Sequence, residues 1–187
     1  MRRVFALLVA VLLAGCTSPE PSYYTLAPVR GAEAAGGPAL VELRQPSIPG
    51  TLDRSDIVRA NSPYQLKLNG GERWAAPLGD MIGRVLAQDL TSRLPGSSVF
   101  TSSGAITAEP NATVEVDIQR FDADTAGPIT LLAQAAVTRG RARDAARTQT
   151  IRLSVTPPGP ATADLVAAMS NALGQMADQI AAMLRGG

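Results

Sequence analysis

The chain has 187 residues, of which 45% are hydrophobic and 18% are charged, and its formal net charge is +1. That charge includes Arg2 and Arg3, so the rest of the chain is close to neutral and has no cationic surplus for binding nucleic-acid phosphates. Histidine is absent, which excludes Ser-His-Asp and Cys-His catalysis and removes the commonest metal ligand.

The N-terminal segment has the features of a secretory signal. Two arginines precede an uncharged apolar run over residues 4–13, which is about half as long as the roughly 20 residues that a membrane-spanning helix needs. The only cysteine, Cys16, follows small residues, and as a free thiol it would be a liability in an oxidising compartment. The tetrapeptide LAGC resembles the lipobox of bacterial lipoproteins. We therefore predict a signal peptide over residues 1–15.

The resemblance to a lipobox implies that Cys16 carries an S-diacylglycerol group and an N-linked acyl chain such as palmitate. Two or more acyl chains attach a protein stably to a bilayer, at about 0.8 kcal/mol per buried methylene. Thr17 is not the aspartate that usually retains lipoproteins in the inner membrane, so the expected location is the periplasmic face of the outer membrane. Residues 16–21 contain two prolines and predict an extended stalk, which carries one domain over residues 22–187.

Alternating apolar and polar residues predict five strands, and a further short strand is predicted near Val99. The residues predicted to face inward are Val41 and Leu43, then Tyr64, Leu66 and Leu68, then Val114, Val116 and Ile118, then Ile129, Leu131, Ala133, Ala135 and Val137, and finally Ile151, Leu153 and Val155. Polar segments separate the last three strands, so these strands are predicted to form an antiparallel meander.

Two helices are predicted, one from Ala76 to Gly96 and one that begins at Thr162 as its N-cap. The first helix has Leu78, Ile82, Val85, Leu86 and Leu90 on one face, with Arg84, Gln88 and Arg93 elsewhere. The second has an apolar stripe made of Leu165, Val166, Met169, Leu173, Met176, Ile180 and Leu184. Met169, Met176 and Met183 are interpreted mainly as core, with a lipid or partner groove as the alternative.

These elements predict an α/β (α+β) fold with a mixed, largely antiparallel sheet and two main helices packed on one face. Paired carboxylates are the remaining catalytic candidates, at Asp53/Asp56, Glu115/Asp117 and Asp122/Asp124. A glycosidase needs a cleft with aromatic or polar sugar contacts, and the chain has only one tryptophan and three tyrosines. The segment from Asp122 begins like a calcium loop but has alanine at its fifth and twelfth positions. We predict no enzyme activity, no cofactor and no metal site.

Five segments, in order along nearly the whole mature chain, resemble the PqiC-type ABC-transport auxiliary lipoproteins. They are SYYTL (22–26), IPGTLDRSDIVRANSPYQLKL (48–68), ERWAAPLGDMIGRVLAQDL (72–90), VEVDIQRFDAD (114–124) and LVAAMSNALGQMADQIA (165–181). The resemblance implies an outer-membrane partner of a system that pairs an MCE-type periplasmic protein with ABC or permease components. The implied cargo is phospholipid or another hydrophobic molecule, and homo-oligomer formation stays open.

The polar segment from Arg44 to Tyr64 is predicted to dock the periplasmic partner, with Ile48, Leu52 and Tyr64 as contact residues. The alternative for this segment is a structural crossover packed on the sheet. Two other functions stay open for the protein. One is an assembly or chaperone lipoprotein that serves lipopolysaccharide or barrel insertion, and the other is a lipid-anchored hydrolase that uses a carboxylate pair.

Overall fold

An eight-stranded sheet with two helices on one face forms the domain. The computed structural model describes residues 20–62, 64–106, 108–123, 127–140 and 146–186. The strands are β1 (Ser22–Tyr24), β2 (Leu40–Leu43), β3 (Asp56–Ser62), β4 (Gln65–Trp74), β5 (Ser98–Thr101), β6 (Ala112–Ala123), β7 (Ile129–Arg139) and β8 (Arg147–Val155). The helices are α1 (Leu78–Arg93) and α2 (Thr162–Arg185). The predicted fold class is confirmed.

Strand β6 is the centre of the sheet, because strands pair along both of its edges. On one edge β7 pairs antiparallel with β6, and β8 then pairs antiparallel with β7. On the other edge β2 runs parallel to the start of β6, and β3 meets the end of β6 where Arg59 lies opposite Ala123. β5 extends the sheet beyond β2, while β4 and then β1 extend it beyond β3. The predicted meander of the last three strands is therefore confirmed.

The inward faces of β6 and β7 are those that the alternation predicts, since Val114, Val116 and Ile118 and all five predicted residues of β7 are buried. Between Ile118 and Arg120 the register shifts by one residue. This bulge changes which residues face the core, so Phe121 and Ala123 become buried. The opposite face of this part of the sheet carries mostly polar side chains.

Helix α1 buries the five residues predicted for its inner face. Gly79 and Gly83 lie beneath the segment that follows β2, and a Cβ atom on Gly83 would lie 3.2 Å from the Cδ of Pro46. These glycines let that segment pass close over the helix. Arg93 was predicted to lie off the buried face, and this is wrong, because only 2% of its surface is exposed.

Helix α2 buries its predicted stripe and all three methionines of the Met169, Met176 and Met183 set, so their interpretation as core is confirmed. The predicted N-cap is wrong, because Ala161 occupies that position and its N–H donates to Oδ2 of Asp164 at 3.2 Å. Thr162 is instead buried, and its hydroxyl forms hydrogen bonds with side chains of β3 and β4. Within the described ranges, neither helix is long and apolar enough to cross a membrane.

The β3–β4 hairpin differs most from prediction. β3 lies inside the segment that was predicted as a polar docking loop. Tyr64, Leu66 and Leu68 were predicted to face inward, and this is wrong, because they are 99%, 41% and 44% exposed. The physical reason is that β6 ends at Ala123, opposite Arg59, so the hairpin continues past the strand on which the core is built.

Candidate functional site

The predicted acylation site, Cys16, lies outside the described residues, as do the signal peptide and most of the stalk. The described chain begins at Glu20 and enters the sheet two residues later through β1.

The three predicted docking residues lie in different environments. Ile48 is half-buried against the core, near Gly79 of α1. Leu52 is 5% exposed and belongs to the core, where a turn closed by its N–H and the Pro49 carbonyl at 2.8 Å holds it. Tyr64 lies at the exposed end of the β3–β4 hairpin. Ile48 and Leu52 therefore fix the segment to the domain, and only Tyr64 projects into solvent.

Polar residues from the same segment form one wall of a trough on the open face of the sheet. The trough has a volume of about 510 Å³. Its polar lining residues include Arg44, Ser47, Glu115, Asp117, Gln134 and Thr150. Strand pairing explains the arrangement, because Asp117 lies opposite Gln134, and Gln134 lies opposite Thr150, which places all three on one face.

The trough contains charges of both signs. Arg44 donates to Glu115 at 2.5 Å, and both side chains are about half exposed. Gln45 is held at the rim, because its N–H donates to the Ser102 hydroxyl at 3.1 Å and its Nε2 donates to Asp80 at 3.0 Å. This lining suits a polar protein segment better than an acyl chain, since burying a hydrocarbon here would desolvate charged groups.

Of the three carboxylate pairs, Glu115 and Asp117 lie together in the trough, where Glu115 pairs with Arg44. Asp53 is exposed, and Asp56 lies 3.9 Å from Nε of Arg73. Asp122 accepts a hydrogen bond from Arg120 at 2.7 Å, whereas Asp124 lies outside the described residues. In the part of the chain that the structure describes, no group of three or more His, Cys, Asp or Glu side chains is placed to hold a metal ion.

A buried polar cluster joins the two helices to the N-terminal segment, and the sequence analysis missed it. Nε of Arg93 lies 2.6 Å from Oδ1 of Asp178, while its terminal nitrogens donate to the Val29 carbonyl at 2.8 Å and the Gly174 carbonyl at 2.9 Å. Asp89, one turn earlier on α1, accepts the N–H of Val29 at 2.7 Å. The cluster ties the chain after β1 to both helices.

Two glycines make this cluster possible. A Cβ atom on Gly31 would lie 2.4 Å from Cζ of Arg93, and one on Gly174 would lie 3.0 Å from Cβ of Val29. The first contact is too close for a side chain unless Arg93 moves, and the second requires Val29 to shift by a few tenths of an ångström. No periodic pattern in the sequence signals such a cluster, because its partners come from three distant segments.

Burial raises the pKa of Asp89 from its ordinary value of 3.8 to about 6. The Val29 hydrogen bond and the Arg93 charge oppose this increase, and the charge of Asp178 adds to it. One oxygen, Oδ2, is buried without a hydrogen-bond partner among the described residues. Between about pH 4 and pH 6 the folded protein therefore holds a proton on Asp89 that the unfolded chain has already released.

We expect Asp89→Asn to make the slope of the free energy of unfolding against pH more positive between pH 4 and pH 6. In this window the folded state binds more protons at position 89 than the unfolded state, so the contribution of Asp89 to the free energy of unfolding falls as pH rises. Asparagine keeps the acceptor for the Val29 N–H and does not titrate. Urea unfolding at several pH values measures the slope, with the exposed Asp80→Asn as control. An equal slope in Asp89→Asn and wild type would contradict the prediction.

The comparison with known proteins agrees with the resemblance predicted from the five segments. Residues 24–181 match the model of a family described as ABC-type transport auxiliary lipoprotein component. The chain belongs to this family. Among the relatives of this auxiliary lipoprotein are the intermembrane transport lipoproteins PqiC of Escherichia coli (strain K12) and Shigella flexneri. Each is 28% identical over 128 residues, which are 65% of this chain and 68% of the relative.

Two solved structures share the fold of this auxiliary lipoprotein. One is the crystal structure of an uncharacterized protein, with a TM-score of 0.72 and 20% identity, covering 88% of this chain and 98% of that one. The other is protein XCC0632 from Xanthomonas campestris, with a TM-score of 0.68 and 18% identity, covering 85% and 92%. At these identities the similarity shows the fold alone.

Proposed function

We propose that this auxiliary lipoprotein is a non-catalytic docking component of an intermembrane transport system for phospholipid or another hydrophobic molecule. The observation that carries the proposal is the family match over residues 24–181. The name of the PqiC relatives, intermembrane transport lipoprotein, supports transport between two membranes. The lipobox-like LAGC sequence supports an acylated Cys16 at the periplasmic face of the outer membrane, after removal of residues 1–15.

The proposed docking surface is the trough on the open face of the sheet. The predicted docking segment contributes Arg44, Gln45 and Ser47 to its wall, while Ile48 and Leu52 hold the segment in place. Its proposed occupant is a polar segment of an MCE-type periplasmic protein, which in turn connects to ABC or permease components. A modest affinity is sufficient, because attachment to one membrane raises the effective concentration of both partners.

Photo-crosslinking in cells tests this function. A photoreactive residue at Gln134 or Thr150, inside the trough, should cross-link an MCE-type protein, whereas the same residue at Gln88, exposed on α1, should not. Cys16→Ala should abolish labelling by radioactive palmitate and leave either an uncleaved precursor or a soluble periplasmic product. The cross-link should decrease, because neither product is held at the outer membrane.

Three results would contradict this proposal in different ways. Palmitate incorporation into Cys16→Ala would overturn the lipid anchor. Cross-links only to a barrel protein would favour the assembly function. Equal cross-linking from the trough and from position 88 would place the docking surface elsewhere.

A further inference from the structure

The outer part of the β3–β4 hairpin, residues 58–62 and 64–68, has one apolar face. Val58 lies opposite Leu68 and Ala60 lies opposite Leu66, so all four side chains share that face. Leu66 and Leu68 are 41% and 44% exposed, and Tyr64 at the end of the hairpin is almost fully exposed. Large exposed apolar side chains grouped on one element usually mark a contact with a partner or a membrane.

The charges on the outer hairpin are all positive. Residues 57–71 contain Arg59 and Lys67 and no carboxylate, although the protein as a whole is close to neutral. Arg59 lies opposite Lys67 in the strand pairing, on the face opposite the leucines. Arg59 is directed at α2, where its Nη2 donates to Oγ1 of Thr162 at 2.9 Å, whereas Lys67 is exposed. An element with leucines on one face, an exposed lysine on the other and a tyrosine at its end has the composition of a segment that lies in a membrane interface.

The described chain enters the sheet from the hairpin end. β1 runs parallel to β4, so the N-terminal end of β1 points in the direction of Gln65, where β4 begins at the hairpin end. Cys16, which the proposed function acylates, precedes β1 by six residues.

The length of the hairpin agrees with the reach of the chain between β1 and Cys16. Arg73 of β4 lies opposite both Tyr23 of β1 and Asp56 of β3, which puts Tyr23 and Asp56 at the same level. From Asp56 the hairpin extends six residues to Ser62, or about 20 Å at ~3.3 Å per residue. From Tyr23 the chain extends seven residues back to Cys16, which spans at most about 25 Å. A membrane that holds the acyl chains of Cys16 is thus within reach of the hairpin end.

We propose that the outer β3–β4 hairpin is a second membrane contact, which inserts Tyr64, Leu66 and Leu68 into the interface of the bilayer that holds the anchor. This inference rests on the proposed acylation of Cys16. Lys67 extends its ammonium group to anionic headgroups, and the leucines enter the boundary of the acyl chains. A domain held at one point can rotate about that point. A second contact fixes the orientation of the domain, and with it the direction in which the trough faces.

A depth measurement on the acylated protein tests this contact. The acylated mature chain carrying Leu66→Cys is reconstituted into vesicles of phosphatidylethanolamine with a minor fraction of phosphatidylglycerol. The introduced cysteine is then the only free thiol, because the single native cysteine is acylated, and it is labelled with an environment-sensitive fluorophore. We expect quenching by lipids with a shallow spin label. The matched control is Ile106→Cys, which replaces a residue that is 57% exposed in the β5–β6 connection, and its fluorophore should remain unquenched.

A second measurement separates the hairpin from the anchor. The mature Cys16→Ala chain has no acyl chains, and we expect it to bind the same vesicles weakly and to bind less when phosphatidylglycerol is omitted. The combination Tyr64→Ser, Leu66→Ser and Leu68→Ser should lower this vesicle affinity by about tenfold or more. Circular dichroism should show that the variant stays folded, with a melting temperature lowered by a few degrees because Leu66 and Leu68 are partly covered.

The outcomes distinguish the two proposals. If palmitate does not label the wild-type protein, the anchor fails, while vesicle binding by the non-acylated chain still decides the role of the hairpin. If the protein is acylated but the probe at position 66 is quenched no more than the probe at 106, the membrane contact is wrong. A photo-cross-link from position 64 to a protein instead of to lipid would also overturn it and assign the hairpin to a protein partner.

Discussion

Leu173→Asp is expected to unfold the domain. Leu173 lies in the middle of α2, is fully buried and belongs to the single hydrophobic core between the helices and the sheet. An aspartate there places an unpaired carboxylate among apolar side chains, at a cost of several kcal/mol. Domains of this size have a total stability of about 5–15 kcal/mol, so the change removes a large part of it or all of it.

Circular dichroism during thermal unfolding measures this effect. The matched control is Gln175→Asp, which adds the same charge two residues along the same helix at an exposed position. It should melt within a few degrees of wild type. A Leu173→Asp variant with an unchanged melting curve would show that this face of α2 is solvated.

Arg93→Met should destabilise the protein by about 2 kcal/mol or more, because it removes the donor to two backbone carbonyls. The carbonyls of Val29 and Gly174 would each lose a donor, and Asp178 would lose its ion pair. Methionine retains most of the aliphatic volume, so the loss reports the hydrogen bonds and not a cavity. Arg93→Lys should restore only part of the stability, since one ammonium cannot reach acceptors in three directions.

Urea unfolding gives the size of this effect, and hydrogen exchange gives its location. We expect faster exchange of backbone amides in residues 26–34, which the Arg93 cluster attaches to the helices. Arg84→Met, on the exposed face of the same helix, is the control and should change stability by less than about 0.5 kcal/mol. Similar losses in the two variants would mean that the buried bonds contribute little.

The sequence by itself predicted the elements that have a continuous periodic pattern. Ile129 to Val137 and the stripe of α2 each repeat at the spacing of their element, and each faces the core as expected. The bulge in β6 was not predicted, although the buried residues of this strand fall on even numbers up to Ile118 and on odd numbers from Phe121. The five segments that resemble the family follow one another along the chain, and the match over residues 24–181 confirms the family that they indicated.

The candidate site was less predictable, because the sequence shows polarity but not burial. Ile48 and Leu52 stand out as apolar residues in a polar segment, which suits either a docking contact or a structural anchor. Leu52 is buried in the core and Ile48 packs against it, so the apolar residues hold the segment while its polar neighbours line the trough. The trough itself combines the segment after β2 with β6, β7 and β8, and the residues of its three strands come together only through strand pairing.

For this chain the sequence determined which residues alternate and which repeat helically, because these are local properties of the covalent order. Only the tertiary structure decided which face of each element is covered. The alternation at Leu66 and Leu68 is as regular as that in β6, yet these leucines are exposed, because the hairpin continues beyond the end of β6. Arg93 is buried for the converse reason, since Asp178 and two carbonyls from distant segments supply its partners in place of water.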